Sequence, residues 1–500
     1  MWGSTNMKIL LISPLISHNK WGKKRIFPLG LGYVASSLLW AGHSVNILDL
    51  NDSSQRKNIA RMIKLSDPEI IGIGGVIGSY KHIKQLTSFI KRYCPEKKII
   101  LGGAFVFSIG RLLLENTPAD IIVEGEGEKT IVELVEVIEK KGDMSKINGI
   151  LYKDDNGQIQ TNPPRPPIPN LDSVSLPAWH LFNMNMYLKN PMHSYKGLDS
   201  MQLMWSRGCS FRCSYCCGIF GRCVRYRSAE NVITEIQLLK ERYNVRYLFF
   251  LDDTFTLNKK KAEKLCELIE KEDIAWGTST RVDCVDEEIL NKMKSAGCVH
   301  IIYGIESGSP VILQNMKKDF TREQSSIAIE MTRKTGIRSA CNFMFGMIGE
   351  TLETINETKM FCINNKIIFH PTYTAALPGT ELYEISKARG LIKNEDKYLK
   401  LLQGAFTEYS IERPPITLTD FSTKELIRLK EKTELEIWQN ITFSSKKISF
   451  WRRSYLTVSY KLFMAGEKGG LSGRMSTEIL LFLQFVSNVI KILRKKNQLH

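Results

Sequence analysis

Cys209-Ser-Phe-Arg-Cys213-Ser-Tyr-Cys216 decides how this chain of 500 residues is read. Three thiols spaced C-x3-C-x2-C follow directly on the extended run Met201 to Ser206, so one short loop can turn all three toward a single centre. Thiolates are soft ligands and suit iron–sulfur chemistry. Three cysteines are one fewer than a closed four-thiolate site needs, so a cluster held here keeps one iron free for an exogenous molecule. A structural zinc ion is the competing reading, but closed zinc sites want four ligands in paired spacing. Cys217 as a fourth ligand would close the site, and adjacent residues point differently; Cys217 and Cys223 read as loop or packing cysteines.

Strand and helix patterns alternate outward from this loop. Candidate strands cover 201–206, 245–251, 275–282, 298–305, 337–345 and 368–376. Ser228, Asn258, Asp286 and Thr321 are expected N-caps, with Gln324 completing a capping box, while Gly297 and Gly336 act as stops. Six such units over 197–390 predict a partial (β/α)6 barrel, open at one side. Chemistry in parallel barrels sits at the carboxyl ends of the strands. The polar residues fall there: the three cysteines, Asp252 and Asp253, Thr280, Arg281 and Asp283, Glu306 and Ser307, and Asn342.

Residues 7–145 predict a separate α/β domain. Ile- and Val-rich runs at 8–12, 45–48, 69–73, 98–101 and 120–123, each followed by a helical pattern, make a doubly wound parallel sheet. Its carboxyl ends carry Ser13-Pro14, Gly72-Ile-Gly74-Gly75, Gly102-Gly103-Ala104 and Glu124-Gly125-Glu126-Gly127, small or polar groups that let a large ligand approach the backbone. Gly30-Leu-Gly32-Tyr-Val-Ala35 fits a dinucleotide fingerprint, but Ser13 to Pro28 is too long for the tight turn that fingerprint needs. Residues 146–196 read as a linker: a hairpin turning at Asp155-Asn156-Gly157, then the Pro163–Pro169 strap across the surface. A mainly helical region, 391–500, completes the chain. The charge of +17, from 69 Lys+Arg against 52 Asp+Glu, favours anionic partners without choosing among them. The 11 cysteines form no disulfide framework, and no signal peptide is read, which predicts a cytoplasmic protein.

The cysteine loop, with Tyr215 before its last thiol, resembles the signature of radical S-adenosylmethionine enzymes. That resemblance implies a [4Fe-4S] cluster on Cys209, Cys213 and Cys216 whose fourth iron chelates S-adenosylmethionine. It places Tyr215, Asp252, Asp253, Arg281, Glu306 and Asn342 around that molecule, the Asp pair at the methionine ammonium, Arg281 at its carboxylate and Glu306 at the ribose. Pro28-Leu-Gly30, Gly102-Gly103 and Val123-Glu-Gly-Glu126 look like the cobalamin-binding domains that precede such barrels, which implies Ser13, Gly74, Gly102, Gly103, Glu124 and Gly125 beside a corrin. No D-x-H-x-x-G motif occurs, so a histidine-ligated cobalt is not expected; a domain that no longer binds cobalamin is the alternative. Methylthiotransferases of transfer RNA use a further cluster on N-terminal cysteines, and Cys94 alone precedes Cys209 here.

The resemblance implies methylation of an unactivated carbon or phosphorus in a small-molecule or lipid-like substrate, with an electron donor such as flavodoxin or ferredoxin and no nucleic acid. A radical oxidative cyclase, or a non-catalytic cobalamin or redox sensor, are the other readings. Residues 479–493 are apolar with a polar stripe at Gln484, Ser487, Asn488 and Lys491, and basic residues flank them. An amphipathic helix on an anionic membrane surface or on the barrel fits that pattern.

Overall fold

The computed structural model describes residues 6–15, 25–56, 59–189, 193–403 and 413–443. The amphipathic stretch at 479–493, and with it the expectation of membrane contact, lies outside the described residues.

The first sheet has seven strands in the order β2-β1-β3-β4-β5-β6-β7. Five are parallel: β1 (Lys8–Ser13), β2 (Ser44–Asp49), β3 (Ile70–Gly74), β4 (Lys98–Gly102) and β5 (Ile121–Val123). Helices cover both faces, which is why β1 is an unbroken apolar run buried from Ile9 to Ser13. The hairpin strands β6 (Ile150–Lys153) and β7 (Ile159–Thr161) continue this sheet, β6 antiparallel to β5. The expected linker hairpin is thus part of the first domain's sheet.

The Pro163–Pro169 strap is exposed apart from buried Ile168 and half-buried Arg165, whereas the segment that continues from it, residues 171–188, turns inward. Leu171, Trp179, Tyr187 and Leu188 are buried, and Phe27 packs against Trp179, Phe182 and Tyr187 with ring centroids 4.6, 4.6 and 5.2 Å away. Gly32 explains its own place in the G-x-G pattern: a Cβ there would stand 3.0 Å from Pro177 Cβ, and its carbonyl accepts from Ala178 N at 3.0 Å. It is a packing glycine where helix Leu29–Trp40 meets Pro177 and Ala178.

The second sheet is six parallel strands in the order β15-β14-β13-β12-β11-β8. They are β8 (Ser200–Leu203), β11 (Tyr247–Phe250), β12 (Ala275–Thr280), β13 (Cys298–Glu306), β14 (Arg338–Phe345) and β15 (Thr372–Tyr373). Outward residues such as Leu203, Leu248, Trp276, Ile301 and Phe343 join the main core under the helices. Inward Tyr247, Phe249 and Ile302 form a small plug at the amino end. The expected caps hold: Ser228, Asn258, Asp286 and Thr321 each accept from an N3 amide, Thr321 in a capping box with Gln324. Helices Glu395–Leu401 and Thr423–Phe443 are the described part of the C-terminal region. Among the described residues no helix is long and apolar enough to cross a membrane.

Candidate active site

A second core cluster joins the two sheets at their carboxyl ends. It contains Ile77, Phe105, Val106 and Ile109 from loops after β3 and β4, together with Ile312, Met316, Met347, Ala375, Ala376 and Leu382 from loops after β13, β14 and β15, and Tyr215 packs against it. Gly379 lies so close to the first domain that a Cβ would meet the Phe107 ring at 2.5 Å. The two ligand-binding ends, glycine rim and barrel mouth, therefore face each other.

The cysteine loop is pinned on both flanks. The two-residue strands β9 (Ser206–Arg207) and β10 (Arg225–Tyr226) pair antiparallel at its base. Gly208 must be glycine: its φ is +97° and a Cβ would stand 2.6 Å from the Cys223 carbonyl oxygen. Cys209 N donates to Gly221 O at 3.2 Å, and Ser214 donates from N and Oγ to the Met316 and Asn315 carbonyls, both at 3.0 Å. Cys209 and Cys213 are half-buried and Cys216 exposed. Desolvation at the sulfur pushes the Cys216 thiol up, and the neighbouring Asp253, Cys213 and Cys209 charges add to this. An iron centre would reverse that shift by stabilising the thiolates. Among the described residues no three His, Cys, Asp or Glu side chains converge as ligands of a single ion. Three soft donors on one loop, one short of a closed set, fit a [4Fe-4S] cluster with an open iron. Cys217 turns aside, its Sγ 3.6 Å from Pro378 O.

The two aspartates after β11 divide. Asp252 is buried and accepts from Trp205 N at 3.3 Å and from Ser206 N and Oγ, so it ties the turn after β11 to the start of β9. Burial pushes its carboxyl up to about 7 against those donors. Both oxygens of Asp252 thus already accept from the chain itself, Oδ1 twice and Oδ2 once. Asp253 lies beside Cys216 and Arg222; desolvation raises its carboxyl and Arg222 lowers it.

Tyr215, Glu306 and Lys318 form a buried cluster beside the loop. Lys318 Nζ donates to Tyr215 Oη at 3.1 Å and lies 3.7 Å from Glu306 Oε1. Burial raises Glu306, and Lys318 and Tyr215 oppose it. Glu306 holds a left-handed φ of +71° where β13 bulges against β14. Lys318 was missed from sequence, where it is one of two lysines before Asp319 with no periodic signal. Arg281 lies against Cys213 and Phe211, and Asn342 is exposed on β14 in register with Gly304.

Across the seam, Gly74 and Gly102 are register partners at the ends of β3 and β4. Gly103 has φ +93° and its Cα approaches Gly75 so closely that a Cβ would stand 3.0 Å from Gly75 O. Gly125, at φ +75°, has open space where a Cβ would project. This bare backbone rim fits the flat face of a corrin. Ser13 Oγ accepts from Asn51 Nδ2 at 3.2 Å, and a Cβ on Gly110 would stand 2.6 Å from Glu124 Oε1.

Residues 203–362 match the Radical SAM superfamily and residues 23–135 the B12 binding domain. The chain is 33% identical to the uncharacterised methyltransferase PH0819 of Pyrococcus horikoshii over 86% of its own length and 92% of that protein's. It is 26% identical to the cytidylyl-2-hydroxyethylphosphonate methyltransferase of Streptomyces wedmorensis (79% and 84%). It is 29% identical to the anaerobic magnesium-protoporphyrin IX monomethyl ester cyclase of Rubrivivax gelatinosus (66% and 61%). The fold is similar to that of the cobalamin-dependent S-adenosylmethionine radical enzyme OxsB, with TM-score 0.70 at 19% identity over 92% of this chain and 71% of that one. The chain belongs to the radical S-adenosylmethionine superfamily, in the group that carries a B12-binding domain. Its cofactors are accordingly a [4Fe-4S] cluster, S-adenosylmethionine and cobalamin.

Proposed function

We propose that this protein is a cobalamin-dependent radical S-adenosylmethionine methyltransferase acting on an unactivated carbon or phosphorus of a small-molecule or lipid-like substrate. The observation that carries the reading is the apolar seam that sets the glycine rim of the first sheet opposite the cysteine loop of the second. Together the bound groups supply reductive cleavage of S-adenosylmethionine to a 5′-deoxyadenosyl radical, and a methyl group for the substrate. In this reading Cys209, Cys213 and Cys216 hold the cluster and Asp253 accepts the methionine ammonium. The Tyr215–Lys318–Glu306 cluster fixes the mouth wall near the ribose, and Asn342 offers a free amide to substrate. Gly74, Gly102, Gly103 and Gly125 leave room for the corrin. The seam excludes water from the space between. A flavodoxin or ferredoxin delivers the electron, and the basic stretch after residue 446 gives peripheral contact with an anionic membrane.

Cyclase relatives share the two domains, but the chain spans 61% of the Rubrivivax protein against 92% and 84% of the two methyltransferases. Anaerobically reconstituted protein with methyl-labelled S-adenosylmethionine and a cell extract of small molecules tests this: label is expected in a product, together with 5′-deoxyadenosine. Cys213→Ala is expected to abolish both. Product without label refutes methyl transfer, and 5′-deoxyadenosine from Cys213→Ala refutes the cluster assignment.

A further inference from the structure

The Arg281 fork is already filled. Nε and Nη2 donate to the two oxygens of Asp283 at 2.9 and 2.8 Å, and Nη2 also donates to the Lys318 carbonyl. The guanidinium lies over the Phe211 ring, 3.4 Å from its centroid, with the Phe320 centroid at 5.1 Å, and the residue is 5% exposed. Recognition of a carboxylate by arginine uses two parallel N–H groups, and none is left as a pair. What remains is Nη1, which donates toward Cys213 Sγ at 3.8 Å.

We propose that Arg281 is a positioning residue of the cysteine loop, whose Nη1–H and buried charge stabilise the Cys213 thiolate and bias a bound cluster toward its reduced form. The inference rests on the reading of the three cysteines as cluster ligands. A one-electron reduction adds one negative charge to a cluster held by thiolates. A fixed cation and an N–H···S contact in a poorly solvated wall stabilise the more negative state. Phe211 and Phe320 keep the guanidinium from swinging away. Lys318, 4% exposed and bonded to Tyr215 next to Cys216, puts a second cation on the same side. Asp283 offsets part of the Arg281 charge, so the two partners must act with opposite signs.

Potentiometric titration of reconstituted protein, with the reduced cluster followed by electron paramagnetic resonance, tests this. Arg281→Gln is expected to lower the reduced fraction at fixed potential about tenfold, a negative shift of roughly 59 mV for one electron. Arg281→Lys shifts the midpoint the same way by less, because it keeps the charge and loses the fork. Asp283→Asn shifts it positively. Affinity for S-adenosylmethionine, by equilibrium dialysis, stays at the wild-type value in Arg281→Lys. An unchanged midpoint in the Arg281 variants overturns the assignment. So does lost S-adenosylmethionine affinity at an unchanged midpoint, which would return Arg281 to the methionine carboxylate. Should the Arg281 variants not fold, the sign for Asp283→Asn decides alone, and a null or negative shift overturns the proposal. Iron and sulfide analysis beforehand separates this failure from that of the cluster reading itself: wild-type protein without a cluster refutes the latter.

Discussion

Replacing Glu126 by glutamine should loosen the cysteine loop from a distance. Glu126 follows β5 in the first domain, yet its carboxylate accepts from Arg207 Nη1 at 2.9 Å, from Arg225 Nη1 at 2.8 Å and from Ile168 N at 2.5 Å. Glu128 takes Arg207 Nη2 at 2.6 Å. All four charged side chains are buried, at 4, 5, 8 and 8% exposure. Burial pushes Glu126 up, and the bonds from Arg225, Arg207 and Ile168 more than reverse this, holding its carboxyl below the ordinary glutamate range. Arg207 and Arg225 are the paired residues of β9 and β10, so this network clamps the base of the loop. Removing one partner of a buried ion pair costs about 3–5 kcal/mol, because a charge is left without compensation. The network sits between the two domains, so local opening at the base of the loop is the observable that reports on it. Hydrogen exchange of amides at 206–209 and 225–227 should speed up roughly a hundredfold in Glu126→Gln, which is the lower end of that cost at about 1.4 kcal/mol per decade. Arg225→Gln combined with it should cost less than the sum of the two. Exchange within about threefold of wild type, or strictly additive effects, would refute the buried-network argument.

Cys217→Ser should keep the iron content of wild type, whereas Cys209→Ala and Cys216→Ala should lose it; iron analysis after anaerobic reconstitution decides. Gly103→Ala should lower the thermal midpoint sharply, since the new Cβ meets Gly75 backbone as well as a left-handed φ, while Gly125→Ala meets open space and costs only the roughly 1 kcal/mol of its backbone conformation. Burial pushes the Glu350 carboxyl up to about 8 from an ordinary 4.5, opposed by one bond from Gly346 N at 2.5 Å. Its folded form therefore keeps a proton that the unfolded chain releases, and stability falls as pH rises from about 4.5 to about 8. Glu350→Gln should flatten that fall, and differential scanning fluorimetry at pH 5 and 8 checks it. Full-length protein should float with anionic liposomes at low salt, and a chain ending at Gly473 should float less.

The barrel was legible because each of its units carries its own punctuation. Strands 245–251 and 298–305 sit between capped helices, and the observed β11 and β13 fall within a residue or so of them at most ends. Local signals of this kind do not say what an element packs against. The hairpin at 150–161 was readable from Asp155-Asn156-Gly157, but its place on the edge of the first sheet depends on Ile121 to Val123 offering a free side. The Pro163–Pro169 strap read as surface from its prolines and is exposed save for Ile168 and half-buried Arg165, whereas the burial of Trp179 and Tyr187 further on, matched by Phe27, carries no such local signal. Adjacent residues with equal chemistry were not separable either. Asp252 and Asp253 differ only in which way the chain turns after β11, and that turn is set by the Ser206 donors that arrive from another strand.

The seam between the sheets raises a physical question, since the carboxyl ends of parallel strands are lined with turns whose backbone groups normally need water. Here polar clamps stand around the seam and leave its middle apolar. Glu126 and its arginines hold one flank. Asp52 accepting from Asn183 at 3.0 Å, with Asp49 accepting from Tyr187, ties the segment around helix Met184–Leu188 to the end of β2. Asp396 takes Tyr80 Oη and Lys84 Nζ, both at 2.7 Å, and binds helix Glu395–Leu401 to the first domain. Each clamp joins segments far apart in sequence, and the one at Glu126 forms only once β5 and the β9–β10 pair are both in place. With three such attachments the distance between glycine rim and cysteine loop is fixed by the fold and does not depend on a ligand to set it. Preorganisation of that kind suits radical chemistry, in which two large cofactors and a substrate must meet without admitting water.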